Sequence, residues 1–280
     1  MDVEQSNWVV RGALCSLIAV GLLAGVGIWA RHAAVSPGQV PLLDPHSRGF
    51  WALGLLAALV SAALFQALAP LPDRLVRTAG AFGAPAPATA PSAWVVPFIV
   101  SLTSVMLLGV YHSPASIGVI VLGAFVVLAG AVLSQRALRA GDDETRQRAR
   151  NAYTLLLHII AFVGLSMIYI NKLRSLFSAT AVLVLVFLLL LQLTEGVQAA
   201  AARRLVYALA GGVVLGEITW VLNYWRATGW TGGAALLIFF YLIAGLILNQ
   251  LRGGVSSRDL AEYGGVSAVA FAIVAVAVLR

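Results

Sequence analysis

Ser175-Leu-Phe-Ser-Ala-Thr-Ala-Val-Leu-Val-Leu-Val-Phe-Leu-Leu-Leu-Leu-Gln-Leu193 carries no charged residue from end to end. As a helix it would be about 28 Å long at 1.5 Å per residue, close to the roughly 30 Å of hydrocarbon in a bilayer. A surface helix of a soluble domain would show a polar face, and this one has none. The stretch therefore reads as a membrane span.

The pattern repeats on both sides. Upstream, a tight turn with Asn171, Lys172 and Arg174 separates it from a second apolar run, Ala152–Ile170. Downstream lie Leu205–Tyr224, Gly232–Leu251 and Gly264–Leu279. The last of these is expected to start near Ser256 or Ser257 as N-cap, with Asp259 and Glu262 in its first turns. Nearer the N-terminus are Gly12–Ala30, Phe50–Ala69, Trp94–Tyr111 and Ile117–Leu133. The fold class is all-α, a polytopic transmembrane helix bundle of about nine spans, or eight if the first is a cleaved signal peptide. Asp2 and Glu4 make the leading segment partly acidic and no clear cleavage site follows, so the first span reads as retained.

Composition agrees. The chain is 61% hydrophobic and 10% charged, against roughly 25% charged in a soluble domain. Residues 1–280 read as a single integral membrane domain. Two connections are long: a Pro/Ala-rich loop at 71–93, stiffened by Ala84-Pro-Ala-Pro-Ala-Thr-Ala-Pro91, and a charged loop at 135–151.

The net charge is +7. The basic residues sit at the ends of apolar runs, where they anchor helices and set orientation, and none is interleaved with exposed aromatics. The expected surroundings are a lipid bilayer, with no nucleic acid. With nine spans, the side holding Arg11 and the Arg136–Arg150 segment collects twice as many Lys and Arg as the other. The positive-inside rule places the N-terminus and loop 135–151 in the cytoplasm and the C-terminus outside.

Several chemistries are excluded. The single cysteine, Cys15, supports neither a disulfide nor a cysteine metal site. His32, His46 and His112, with Asp44 near His46, match no metal-ligand spacing, so no metal is expected. Gly25-Val-Gly-Ile-Trp-Ala30 matches a dinucleotide fingerprint, but it lies inside a span and follows no strand. Lys172 sits in a turn, not in a desolvated helix as a Schiff-base lysine requires. No P-loop, G-x-S-x-G or H-E-x-x-H is present, and no cofactor is expected.

Polar residues inside the spans remain as candidates. Glu217 is the one acidic residue well inside a span, and an intramembrane carboxylate needs a partner or a proton. Glu217, Trp220 and Tyr224 fall on one helical face, and Asn223 lies beside them. Together with His158 they are the candidates for ligand or proton binding, while the competing structural role for Glu217 is a hydrogen bond to a neighbouring helix. Gly212 and Gly216, like Gly21 and Gly25, have the small-xxx-small spacing of a helix-packing face. Counting back from the turn at Lys172 places Arg150 level with Glu195 as an interfacial ion pair. No catalytic constellation appears.

Leu173-Arg-Ser-Leu-Phe-Ser-Ala-Thr180, Thr219-Trp-Val-Leu-Asn-Tyr-Trp225, Tyr241 with Gly245 and Leu246, and Arg252 with Glu262 and Tyr263 give the chain after Tyr153 a recognisable pattern. It resembles an uncharacterised family of bacterial multi-pass membrane proteins, from actinobacteria and Chloroflexi, classed as a domain of unknown function. The resemblance implies a helical membrane bundle and an uncharged amide where Glu217 stands. It implies no activity.

Function is thus expected to be non-catalytic: a scaffold or accessory subunit of a membrane complex, with a protein partner or as a homo-oligomer. The alternative is a small-solute or lipid transporter or binding protein with a polar pocket around Glu217. A lipid-modifying enzyme is a second alternative. It would need His158, Glu195 and Glu217 to converge, and their depths along the spans keep them apart.

Overall fold

The computed structural model describes residues 3–33, 47–68, 92–140, 143–171, 175–195, 197, 199–225, 227 and 229–279. They form α1 (Val3–Ala33), α2 (Arg48–Leu68), α3 (Val95–Val110), α4 (Pro114–Ala140), α5 (Asp143–Asn171), α6 (Ser175–Leu193), α7 (Ala201–Asn223), α8 (Gly229–Arg252) and α9 (Ser257–Leu279). No strand occurs among the described residues. Eight of these helices are long and apolar enough to cross a membrane. The ninth, α3, is equally apolar but has 16 residues, or about 24 Å. Most of the 71–93 connection lies outside the described residues, as do Lys172 and Arg174 of the α5–α6 turn.

Local chemistry sets several boundaries. Ser113 accepts the Ser116 N–H at 3.2 Å and Pro114 takes the first helical position, so α4 starts sharply after the turn from α3. Ser256 and Asp259 form a reciprocal box at the start of α9. The Ser256 N–H and hydroxyl donate to the Asp259 carboxylate at 2.9 and 2.6 Å, and the Asp259 N–H returns to the Ser256 hydroxyl at 3.2 Å. Between α8 and α9 the chain passes through Gly254 at φ +117, a conformation closed to side chains with a Cβ.

The 135–151 segment differs from the loop expected there, because helix covers most of it. α4 runs on to Ala140 and α5 begins at Asp143. Asp143 pairs with Arg146 at 2.8 Å, Glu144 pairs with Arg148, and Gln147 donates to Asn151 at 3.0 Å. Such i,i+3 and i,i+4 pairs, with acidic residues at the helix start, favour helix where hydropathy alone shows only the end of a span.

The chain clusters as two compact units, 1–153 and 154–280, which divide within α5. In the first, α1 packs on α2, α3 and α4, and α3 packs on α2 and α4. Glycines seat the contacts: Gly54 faces Val105, and a Cβ on Gly12 would lie 2.7 Å from the Val132 side chain. A crevice of about 30 Å³, lined in part by Cys15, Phe65, Val96 and Leu128, has room for a water or two. In the second unit α6 and α7 form the most extensive helix pair, α8 packs on α7 and α6, and α9 packs on α8.

Candidate functional site

α7 presents two unlike faces, and the contrast decides where the candidate carboxylate goes. One face holds Ala208, Gly211, Gly212, Leu215, Gly216, Thr219 and Leu222, all buried. Gly212 and Gly216 lie directly on the α6 backbone. A Cβ there would sit 2.7 Å from the Leu183 carbonyl oxygen and 3.1 Å from that of Ala179. Thr219 turns its hydroxyl back to the Leu215 carbonyl at 2.8 Å.

Glu217 follows Gly216, so it points about 100° around the helix, away from α6. It is exposed, and so are Val213, Val214, Trp220, Val221 and Tyr224 around it. Glu217, Trp220 and Tyr224 do share a face, and that face is exposed. Asn223 lies off it, half-buried, with its side-chain nitrogen buried and without a hydrogen-bond partner.

His158 sits elsewhere, on α5. Its Nδ1–H donates to the Thr154 carbonyl at 2.8 Å, which ties one ring nitrogen to its own helix. The ring stands edge-on to Phe240 and Tyr241 of α8, at centroid distances of 5.3 and 6.1 Å. The five ligand or proton candidates therefore do not meet in one place: Glu217 and Trp220 are exposed on α7, while His158 is held among rings between α5 and α8.

Gly21 and Gly25 are exposed on α1, and nothing lies within 4 Å of a Cβ built on either. Arg150 and Glu195 belong to different units. Glu195 accepts a 2.6 Å hydrogen bond from the Gln192 amide. His46 and Asp44 lie outside the described residues. Among the described residues no three His, Cys, Asp or Glu side chains come together as a metal site would require.

A family profile described as "Protein of unknown function (DUF5656)" matches residues 31–277. The chain belongs to this family. No curated protein matches it, and no solved structure does. The match takes in nearly all of the second unit and the first unit from the end of α1 onward, well beyond the C-terminal half that carries the resemblance in sequence. The structure gives several of the resembling residues physical roles. Gly245 on α8 forms a notch filled by the Tyr263 ring of α9, since a Cβ at 245 would overlap that ring. Tyr241, one turn earlier, packs on Tyr263 with a centroid distance of 5.4 Å.

The residues that sequence reasoning missed lie on α5. Tyr169 is 2% exposed, and its hydroxyl donates to the carbonyls of Leu222 at 2.8 Å and Ala227 at 3.2 Å, where α7 ends. Gly232 makes room for its ring, and Gly233 makes room for Ser166, one turn before Tyr169. The available signal was the Gly232-Gly233 doublet at the start of an apolar run. A helix pays for a glycine pair there only when something must come close.

Proposed function

We propose that this member of the family is a non-catalytic integral membrane protein, a scaffold or accessory subunit of a membrane complex. One observation carries the reading: Glu217 lies within a membrane-spanning helix yet faces outward among Val213, Val214, Trp220 and Val221. A carboxylate facing lipid is costly and seeks a partner. An exposed helix face encloses no substrate, but it accepts another transmembrane helix. Five other polar residues of the second unit support the same reading. His158, Asn171, Thr180, Thr194 and Thr219 bond backbone carbonyls four residues back, a structural use of polarity.

In this reading the membrane is a bacterial inner membrane, with the N-terminus and the 135–151 segment in the cytoplasm and the C-terminus outside. The excess of basic residues on that side supports this orientation. A cysteine at the exposed position Gln147 should react with impermeant reagents only from the cytoplasmic face. A second reading, a transporter or binding protein with a pocket reaching Glu217, draws support from the unpartnered Asn223 nitrogen.

The test is purification from native membranes in mild detergent, followed by native mass spectrometry. A stoichiometric protein partner or a homo-oligomer is expected, unchanged in Glu217→Gln. A lone protomer carrying one specific small molecule, lost in Glu217→Gln, would replace this reading with the second.

A further inference from the structure

Aromatic side chains collect at one end of each unit. In the first unit three helices assemble that end. The Trp29 ring of α1 lies over Gly49, 3.4 Å from where a Cβ would stand, and Gly109 of α3 makes the same close contact with the Phe50 and Trp51 rings of α2. Tyr111 follows as the C-cap of α3. Phe50 is buried, while Trp29 and Tyr111 stay exposed. In the second unit Tyr224 and Trp225 follow α7 directly and Trp230 opens α8. Tyr224 and Trp230 are exposed, and Trp225 packs on Phe271 of α9 with a centroid distance of 5.6 Å. An indole or a phenol joins an apolar ring to a polar edge, which suits the layer where acyl chains give way to lipid headgroups.

We propose that these two ends, Trp29, Trp51 and Tyr111 in the first unit and Tyr224, Trp225 and Trp230 in the second, are lipid-interface surfaces that rest in the headgroup layer of the bilayer. The leaflet, the outer one, rests on the orientation proposed above; the boundary itself does not. Helix lengths carry the inference. Along the helix axis Arg11 lies about 27 Å from Trp29 on α1, and Arg204 about 30 Å from Tyr224 on α7. Trp230 lies about 33 Å from Arg252 on α8, and Trp94 about 26 Å from Tyr111 across α3. Four helices thus return, each by itself, the roughly 30 Å of hydrocarbon in a bilayer. The same surfaces settle the part played by the short helix α3. At one end of the α2–α3 pair the Trp94 N–H donates to the Gln66 side-chain oxygen at 3.2 Å, and at the other Gly109 meets the Phe50 and Trp51 rings. α3 therefore runs antiparallel to α2 along most of its length, and a bilayer crossed by α2 is crossed by α3. Its 16 residues suffice because the flanking Trp94 and Tyr111 supply the boundary residues.

The proposal is tested on the full chain in two ways. The first is cysteine labelling in intact cells and inverted membrane vesicles, with Cys15 removed as Cys15→Ala. Single cysteines are placed at Ser113, exposed just beyond Tyr111, and at Leu122 and Val214, which are exposed on α4 and α7 but lie between the two boundaries. An impermeant maleimide needs a hydrated thiolate, so Ser113→Cys should react at least about tenfold faster than Leu122→Cys or Val214→Cys, and all three should react equally once denatured in dodecyl sulfate. Equal rates before denaturation would overturn the boundary. Reaction of Ser113→Cys from the cytoplasmic face alone would support the boundary and overturn the orientation. The second test is tryptophan quenching of the unaltered chain in phosphatidylcholine vesicles whose acyl chains carry bromine near the glycerol or near the methyl end. The shallow bromine should cause the greater loss of fluorescence, and should do so again in the Trp29→Phe/Trp51→Phe variant, where the rings of the second unit dominate. Greater loss from the deep bromine would overturn the proposal. So would no loss at either depth, which would mean that protein and not lipid covers these rings.

Discussion

Removing one oxygen tests how the second unit is held together. Tyr169→Phe keeps the ring against Gly232 and deletes only the hydroxyl that spans the end of α7. Leu222 would retain the Trp225 N–H at 3.0 Å and so loses little. Ala227 is 1% exposed, and its carbonyl would be stripped of the 3.2 Å bond in a place water does not reach. A stranded buried acceptor costs about 1–3 kcal/mol in soluble proteins, and interhelical hydrogen bonds in membranes average about 0.6 with a maximum near 1.7. The bifurcated geometry, with one full-strength arm and one long arm, places Tyr169→Phe at about 1–1.5 kcal/mol. That is roughly a five- to tenfold change in the unfolding equilibrium. Unfolding in mixed detergent–denaturant micelles, followed by tryptophan fluorescence, gives the number, with Tyr224→Phe as control because Tyr224 is 89% exposed. A shift below about 0.3 kcal/mol, or one no larger than the control, would refute the capping role of Tyr169.

Gly245→Ala should drive the Tyr263 ring from its notch and cost about 1–3 kcal/mol by overpacking. α9 should then become more accessible to protease and amide exchange, and adding Tyr263→Ala should reverse the steric part. Ser256→Ala should cost about 1 kcal/mol, seen as faster amide exchange confined to the first turn of α9.

Much of the fold was legible because a bilayer imposes one rule that hydropathy reads directly: each crossing must be an apolar helix of sufficient length. The uncharged run at 175–193 and the start of α9 at Ser256 follow from local residues. The same rule concealed the helical ends at 135–151. Hydropathy reports where lipid stops, and the Asp143–Arg146 and Glu144–Arg148 pairs carry helix past that point. The direction of Glu217 was half legible. The wheel separates it from Gly212 and Gly216, but which side of α7 meets α6 depends on tertiary packing. Tyr169 was invisible as a cap because its acceptors lie 53 and 58 residues away in sequence, and one tyrosine in an apolar run looks like any other.

α9 touches the rest of its unit lightly, with 6% of its span buried. A surface that answers to lipid is held to its hydropathy alone, because lipid does not distinguish valine from isoleucine or alanine from leucine. Over evolutionary time this helix should drift widely in identity while keeping its hydropathy. The pair Gly245 and Tyr263 should change only together, because a larger residue at one requires a smaller one at the other. An aligned set of family sequences should therefore show α9 as a region of rapid substitution crossed by one linked pair.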